Sequence, residues 1–186
     1  MTDPHTLPTD LPAPPDDGAC AHLTGQPWPV LALPGTDRKA HDLAALPGRT
    51  VVYVYPKTAR PDQPMPDDWD MIPGARGCTP QSCAFRDHHA ELRAAGARVF
   101  GLSVQDTAYQ REAAERLHLP FALLSDVTGD LARALRLPTF TAGGETLLRR
   151  VTLIVRDGVI EQVFYPVFPP DRNAGDVVAW LAKHPV

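Results

Sequence analysis

Two of the three cysteines in the chain lie close together in a segment that could carry thiol chemistry, Cys78 and Cys83. Pro80 suits the first turn of a helix, and apolar residues then recur at helical spacing until Gly96, a typical helix end. Cys78 is therefore expected at or just before a helix N-terminus, where unpaired N–H groups and the helix dipole favour negative charge. This position favours the thiolate, which is the nucleophilic form of cysteine.

The spacing of the two cysteines has a mechanical consequence. If both are helical, their Cα atoms lie roughly 8 to 9 Å apart, beyond the ~7 Å limit for an unstrained disulfide. The helix would have to unwind before the sulfurs could meet. Two other interpretations remain open at this point: Cys83 as a small buried hydrophobe beside an incidental Cys78, or a zinc site that adds His88 or His89. The zinc site is disfavoured because tetrahedral sites use closer cysteine spacing.

Several motifs occur in an order that is typical of one protein family. They are VVYVYPK at 51–57, GCTPQSCAFRD at 77–87, VFGLS at 99–103, FALLSD at 121–126 and RVTLIV at 150–155. On these motifs the chain resembles the peroxiredoxin family, and within it the PrxQ (bacterioferritin-comigratory) subfamily, from about Leu23 onward.

The resemblance implies roles for four residues. Cys78 matches the peroxidatic cysteine, Cys83 the resolving cysteine, Pro56 the active-site proline and Arg150 the active-site arginine. From the residues alone, Arg150 could equally be a charged strand end that faces water; with the resemblance, its guanidinium is expected to stabilise the Cys78 thiolate and bind a peroxide oxygen.

The implied function is a thiol-dependent peroxidase without metal or organic cofactor. Its expected substrates are hydrogen peroxide and small alkyl hydroperoxides, which would oxidise Cys78 to a sulfenic acid. Cys83 would then form a disulfide with Cys78, and a thioredoxin-like protein would reduce it. Two alternatives are a thiol–disulfide oxidoreductase and a non-catalytic, peroxide-sensing redox switch that docks a partner.

The chain departs from the family pattern at two places. A Thr or Ser usually stands three residues before the peroxidatic cysteine, but this chain has Ala75. Either another hydroxyl, that of Thr58 or Thr79, takes over the role, or the site works without one. In addition, residues 58–76 separate Pro56 from Cys78 and form an inserted loop.

Other polar residues near the motif are interpreted more plainly. Arg76 is a weaker candidate for stabilising the Cys78 thiolate. Arg86 and Asp87 are expected to be structural, and His88 and His89 to lie on the helix surface. Cys20, far from the pair, is expected to be inert, with a spare resolving thiol as the alternative.

Composition indicates one globular domain and excludes several classes of function. The net charge of −4, without a basic stretch, argues against a nucleic-acid partner. No apolar run is long enough to cross a membrane. The N-terminus lacks the features of a signal peptide, so we expect the reducing cytoplasm, where a cysteine pair is more often catalytic or metal-binding than structural. A monomer or weak homodimer is expected.

The chain divides into an arm and a domain. Residues 1–22 form a proline-rich arm, ordered only if it lies along the body of the protein, and residues 23–186 form the domain. The inserted loop at 58–76 is acidic and proline-rich. Its apolar residues Trp69, Met71 and Ile72 are expected to fold back over the site or to form an interface, with a solvated loop as the alternative.

Alternating strands and helices predict an α/β, thioredoxin-like fold: a central mixed sheet flanked by helices, with an N-terminal extension and hairpin. An Asp157-Gly158 tight turn should join the last two strands. The predicted strands are 28–33, 51–55, 98–104, 121–124, 150–155 and 159–165. The predicted helices are a short turn at 41–46 and the segments 80–96, 106–117 (N-cap Asp106), 128–135 and 174–183.

Overall fold

The computed structural model describes residues 6–186, so the first five residues of the predicted arm lie outside it. The strands in this range are β1 (Ala32–Pro34), β2 (Ala40–Asp42), β3 (Arg49–Val54), β4 (Ala97–Ser103), β5 (Leu123–Ser125), β6 (Thr139–Ala142), β7 (Glu145–Leu148), β8 (Val151–Arg156) and β9 (Val159–Phe164). The α-helices are α1 (Cys78–Asp87), α2 (His89–Ala94), α3 (Thr107–Arg116), α4 (Asp130–Leu135) and α5 (Asn173–Lys183). Short 3-10 helices span Leu43–Ala45, Trp69–Met71 and Pro170–Arg172.

A five-stranded mixed sheet forms the centre of the fold, in the order β5-β4-β3-β8-β9. Strands β3, β4 and β5 pair in parallel, whereas β8 pairs antiparallel with both β3 and β9. The sequence predicted this mixed sheet, and the predicted N-terminal hairpin is the β1–β2 pair.

The central strand β3 is buried along its whole length because it contributes to both faces of the sheet. Val52 and Val54 belong to one apolar cluster, and Val51 and Tyr53 to the other, as the two-residue period of a strand requires. Cys78 lies in the second cluster, together with side chains of α1, α2 and α5. The cysteine helix α1 therefore packs on this face of the sheet.

Local sequence signals predicted several element ends correctly. Asp106 caps α3, where its side chain accepts a hydrogen bond from Tyr109 N at 2.8 Å. Gly96 adopts a left-handed conformation after α2, as expected of a helix-ending glycine. Asp157 and Gly158 both have positive φ between β8 and β9, which is the conformation of the predicted tight turn.

Three predicted elements differ from the structure. The short turn expected at 41–46 is a 3-10 helix over Leu43–Ala45 only, because His41 and Asp42 belong to β2. The strand expected at 28–33 begins only at Ala32; Pro29 cannot donate a ladder hydrogen bond, and Trp28 instead donates from its backbone to Gly158 at 2.7 Å. The helix expected at 80–96 is two helices. His88 has non-helical backbone angles (φ −90°, ψ 6°), and its side chain bonds Glu91 at 2.7 Å across the break.

The β6–β7 hairpin was not predicted from the sequence, although its turn carries a signal. Gly143 and Gly144 both have positive φ. A Gly-Gly pair adopts this conformation easily and is therefore a signal for a tight hairpin turn. The inserted loop packs against this hairpin, because Trp69 and Ala142 share one apolar cluster.

The described part of the arm follows the body of the protein without regular structure, as expected for an ordered arm. The Tyr165 hydroxyl donates to Asp17 at 2.8 Å, and Arg149 lies 3.7 Å from the same carboxylate. Leu7 and Pro14 approach the segment just before α1, near Gly77 and Gly74 respectively. No helix in residues 6–186 has the length and apolar character needed to cross a bilayer.

A buried ion pair links the start of β3 to β9 and the C-terminus. Arg49 is 2 % exposed and donates two hydrogen bonds to Glu161, at 2.8 and 2.9 Å. It also donates to the His184 carbonyl and lies over the Trp180 ring, 5.3 Å from its centroid. These hydrogen bonds hold the pKa of Glu161 below its ordinary value of 4.5.

Replacing Glu161 with Gln should therefore destabilise the protein by about 1–2 kcal/mol at pH 7, because Arg49 stays buried without its carboxylate. A lowered folded-state pKa means that the pair contributes stability above pH 4.5 and loses it as the pH falls through the lowered value. Urea unfolding at pH 7 and pH 3 should show the difference at pH 7 and little of it at pH 3.

Glu115→Gln is the matched control, since Glu115 is exposed and forms no salt bridge within the described chain. An equal loss of stability in both variants at pH 7, or a loss in Glu161→Gln that persists at pH 3, would contradict this role of the pair.

Candidate active site

The first turn of α1 holds Cys78 where the structure brings several parts of the chain together. Gly77 precedes the helix with φ 110°, a left-handed conformation that favours glycine. A Cβ at this position would lie 2.3 Å from Pro170 Cγ, so the close packing also requires glycine. Cys78 is thus the first helical residue, as the sequence predicts, and its side chain is 3 % exposed.

Arg150 lies beside the sulfur of Cys78. Its Nη2 atom is 3.3 Å from Cys78 Sγ, and the side chain is 3 % exposed. The same nitrogen faces three backbone carbonyls of the segment before α1: Gly74 at 3.3 Å, Ala75 at 3.1 Å and Arg76 at 3.3 Å. The guanidinium therefore shapes the turn that leads into the helix and also supplies positive charge to a thiolate.

A buried network of side-chain hydrogen bonds continues from Arg150 on the side away from the pocket. Arg150 Nη1 donates to the side-chain oxygen of Gln81, one turn after Cys78. Gln81 in turn donates to Asn173 Oδ1 at 3.0 Å, and Asn173 accepts from Thr152 Oγ1 at 2.6 Å. Gln81 and Thr152 are fully buried, so the network fixes the orientation of the guanidinium on the side that faces away from the pocket.

Sequence reasoning missed the positioning residues of this network. Gln81 lies inside the cysteine motif. A polar side chain on a buried helical face needs a hydrogen-bond partner, and this was the signal that could have identified Gln81. Asn173 begins α5, more than ninety residues later, and no sequence signal linked it to the site.

Cys83 lies in the same helix but not in the pocket that Cys78 lines. Burial raises the pKa of its thiol above the ordinary value of 9.0, and although Arg86 acts against this, the thiol stays mostly protonated at neutral pH. In a regular helix the Cα atoms of the two cysteines are roughly 8 to 9 Å apart. A disulfide between them therefore needs α1 to unwind.

The structure separates the two hydroxyls considered as substitutes for the missing one at Ala75. The Thr58 hydroxyl donates to Gln105 Oε1 at 3.2 Å, and Thr58 is fully buried away from the pocket. Thr79 lines the same pocket as Cys78. Ala75 itself contributes only its carbonyl, 3.7 Å from Cys78 Sγ.

Pro56 is buried and follows directly after β3 and Tyr55. The next residue, Lys57, lines the pocket in front of Cys78. Pro56 thus lies where the chain leaves the sheet toward the site, and its role as an active-site proline stays a prediction.

The remaining polar candidates have structural contacts. Arg76 pairs with Asp70 at 2.8 Å, which neutralises its charge at the pocket rim. Arg86 donates to Asp87 at 2.8 Å and to the Leu117 carbonyl at 2.9 Å, so it ties α1 to the end of α3. His89 lies against Phe121, with ring centroids 5.8 Å apart. Within residues 6–186, no three His, Cys, Asp or Glu side chains are grouped as metal ligands.

Cys20 lies in the apolar cluster on the other face of the sheet from Cys78. Burial, with Asp17 and Asp16 nearby, raises the pKa of its thiol to about 12. This thiol is protonated at neutral pH and is a poor nucleophile, which agrees with the expectation that Cys20 is inert.

The inserted loop folds back beside the site. Trp69 is buried and packs in one apolar cluster with Ala75, Ala142 and Leu147. Met71 is 70 % exposed and lines the pocket in front of Cys78. The loop thus lies against the site, as in the fold-back arrangement expected for it.

A family model described as Redoxin matches residues 23–178. Among curated proteins, the chain is 32% identical to the chloroplastic peroxiredoxin Q of Oryza sativa subsp. japonica over 159 residues, covering 84% of this chain and 65% of the relative. It is 31% identical to the chloroplastic peroxiredoxin Q of Populus jackii, covering 84% of this chain and 67% of that one. The chain thus spans about two thirds of the length of these relatives.

Two solved structures have the same fold. The peroxidoxin BcpB of Mycobacterium tuberculosis superposes with a TM-score of 0.70 at 24% identity, covering 87% of this chain and 98% of that one. The bacterioferritin comigratory protein of Xanthomonas campestris has a TM-score of 0.66 at 22% identity, covering 94% and 99%.

The mixed sheet with a cysteine at the start of its first α-helix defines a thioredoxin-like protein, which confirms the predicted fold. The chain belongs to the redoxin family, and within that family to the peroxiredoxin Q group. The resemblance read from the sequence motifs is therefore confirmed.

Replacing Arg150 with Met should slow alkylation of Cys78 by iodoacetamide at pH 7 about tenfold or more. The Coulomb attraction between unit charges 3.3 Å apart is about 5 kcal/mol at an effective dielectric constant of ~20, so even a strongly screened contact favours the thiolate. Peptide mapping resolves the alkylation of Cys78 from that of the other two cysteines.

Arg149→Met is the matched control, because Arg149 is the neighbouring arginine, 37% exposed, and faces Asp17. An Arg150→Met variant that keeps its circular dichroism spectrum and alkylates at the wild-type rate would show that the guanidinium does not stabilise the thiolate.

Proposed function

We propose that the protein is a thiol-dependent peroxidase in which Cys78 is the peroxidatic cysteine. The observation that carries the proposal is the contact between Arg150 Nη2 and Cys78 Sγ, 3.3 Å apart at a helix N-terminus that borders a pocket. Membership of the peroxiredoxin Q group supports the same reaction. A thiolate held beside a cation is the reactant that attack on a peroxide requires.

In the first step, the Cys78 thiolate attacks one peroxide oxygen. An S–O bond forms as the O–O bond breaks; the peroxide is reduced to water or an alcohol once the leaving oxygen takes up a proton, and the sulfur is oxidised to a sulfenic acid. Negative charge develops on the leaving oxygen. Arg150 and the N–H groups of the first helical turn are the donors that would stabilise it.

In the second step, α1 unwinds and Cys83 resolves the sulfenic acid. The Cys83 sulfur attacks Cys78 Sγ, a disulfide forms and water leaves. A dithiol protein of the thioredoxin type then reduces the disulfide by exchange. No metal or organic cofactor takes part in this cycle.

The substrates we propose are hydrogen peroxide and small alkyl hydroperoxides. The related bacterioferritin comigratory protein of Xanthomonas campestris is described as having alkyl peroxide reduction activity, which supports this substrate class. We further propose a monomer or weak homodimer in a reducing compartment, where the cysteines would return to the thiol form.

The cysteine variants test the assigned roles. Cys78→Ser should abolish peroxide consumption. Cys83→Ser should keep the first turnover, accumulate sulfenic and then sulfinic acid on Cys78, and lose catalytic cycling, because nothing resolves the intermediate. Intact mass with peptide mapping, before and after one equivalent of peroxide, distinguishes a one-oxygen increase on Cys78 from the loss of two hydrogens in a disulfide.

Cys20→Ser is the control and should behave as the wild type. Peroxide consumption that survives Cys78→Ser would contradict the assignment. Reduction of model disulfides without peroxide turnover would favour the thiol–disulfide oxidoreductase, and a single oxidation without cycling would favour the redox switch.

Thr79 is our candidate for the hydroxyl that Ala75 lacks, since it lines the pocket beside Cys78. Thr79→Val should lower kcat/KM for hydrogen peroxide about tenfold, because it removes a hydrogen-bond partner for the peroxide without changing the side-chain shape. Steady-state peroxide consumption measures this. Thr79→Ser should recover most of the activity, and a Val variant as active as the wild type would rule the hydroxyl out.

A further inference from the structure

The pocket in front of Cys78 is much larger than hydrogen peroxide requires. Its volume is about 930 Å³. Two water molecules occupy about 60 Å³ in the liquid, which is a fair measure for the two oxygens of hydrogen peroxide. A volume near 930 Å³ falls within the range of roughly 300–1,000 Å³ that is typical of sites for whole organic ligands.

The inserted loop supplies most of the pocket wall, and about half of the lining side chains from the loop are apolar. They include Ala59, Met65, Trp69 and Met71, together with several prolines. Methionine and aromatic side chains adapt to and contact hydrocarbon groups. The wall that the insertion adds is therefore suited to an organic substituent on the peroxide.

The cations that line the pocket are each paired with a carboxylate, so their charge is largely neutralised. Each lining cation has an acidic partner within 3.0 Å: Lys57 with Glu145, Arg60 with Asp62, Arg76 with Asp70, and Arg116 with Glu112. Asp68 also lines the pocket. Arg150 attracts any peroxide to the sulfur, but away from it the paired charges of the wall would give a substrate carboxylate little further attraction, whereas a neutral substituent needs none.

The loop is held at both ends, so the pocket is already formed without a ligand. On one side, the Tyr109 hydroxyl donates to the Thr58 carbonyl at 2.9 Å, and Arg116 donates to the Ala59 carbonyl at 2.8 Å. On the other side, Trp69 packs on Phe140 of the β6–β7 hairpin, with ring centroids 6.1 Å apart. A preformed wall can select substrates by shape.

We propose that residues 58–76 form a substrate-recognition wall that selects neutral, bulky organic hydroperoxides over hydrogen peroxide and over hydroperoxides that carry a carboxylate. This inference rests on the proposed function and extends its substrates from small alkyl hydroperoxides to bulky ones, which the wall would make the preferred substrates. The bond changes at Cys78 are those of the proposed peroxidase reaction, with the alcohol of the organic substituent as the leaving product.

Three probes test the selection: cumene hydroperoxide (neutral and bulky), hydrogen peroxide (small) and linoleic acid hydroperoxide (bulky and anionic). The second-order rate constant for oxidation of Cys78 is measured in single-turnover experiments on the reduced full chain, by rapid quenching and titration of the remaining thiols. The reductant then plays no part. For the wild type we expect the rate constant with cumene hydroperoxide to exceed each of the others at least fivefold.

Two variants change the wall. Ala59→Phe fills the pocket and should lower the ratio of the cumene hydroperoxide to the hydrogen peroxide rate constant at least tenfold. Met71→Ala removes a lining side chain that is 70 % exposed, so it leaves the fold intact, and should lower the same ratio about threefold. Val127→Phe, which adds the same bulk at a residue 60 % exposed and outside the pocket, should leave the ratio unchanged.

The outcomes separate the two proposals. If none of the peroxides oxidises Cys78 faster than it oxidises the thiols of the urea-unfolded chain, the proposed function fails. If Cys78 reacts rapidly but the three probes react at similar rates, or the ratio is unchanged in Met71→Ala and in a folded Ala59→Phe, the recognition wall fails and the peroxidase proposal stands.

Discussion

The burial of one guanidinium organises the site. Arg150 is 3 % exposed and has no carboxylate partner within residues 6–186. An unpaired buried charge is costly, so its positive charge must be balanced by dipoles or by another ionised group. The carbonyls before α1 and the side chain of Gln81 provide the dipoles. Among residues 6–186, Cys78 Sγ, at 3.3 Å, is the one group in contact with Arg150 that can carry a negative charge. The burial of the arginine thus places its positive charge directly against the cysteine sulfur.

The same contacts make the start of α1 a structural compromise. Arg150 and Gln81 hold the first turn in place, and Tyr53 adds a hydrogen bond to Ser82 at 3.1 Å and a ring stack on Phe85. This rigid arrangement suits the attack on a peroxide, where a preorganised cation is most effective. The proposed resolution by Cys83 would require the same turn to unwind. The balance between the folded and unwound forms of α1 would therefore govern whether Cys78 is resolved or oxidised further.

Much of the fold was predictable because its signals are local. The apolar run of β3, the cap at Asp106 and the turn at Asp157-Gly158 each depend on a few neighbouring residues. The predictions were wrong where a distant contact decides the structure. Trp28 bonds to Gly158 rather than continuing a strand. The break of the cysteine helix at His88 was also not predicted, although the contact seen there, with Glu91, is local. The hairpin at Thr139–Leu148 had a Gly-Gly signal that was overlooked.

The sequence by itself determined the family, the position of Cys78 at a helix start and the spacing that separates it from Cys83, because these properties follow from motifs and from helix geometry over a few residues. Only the tertiary structure decided which side chains meet at the sulfur. Arg150 is 72 residues from Cys78, and Asn173 is 92 from Gln81. Such pairs form where strands and helices pack against one sheet. The free energy of folding that brings them together comes from packing of the whole core, so no short segment predicts them. The pocket has the same origin, since the inserted loop acquires its shape only from α3 and the β6–β7 hairpin on either side.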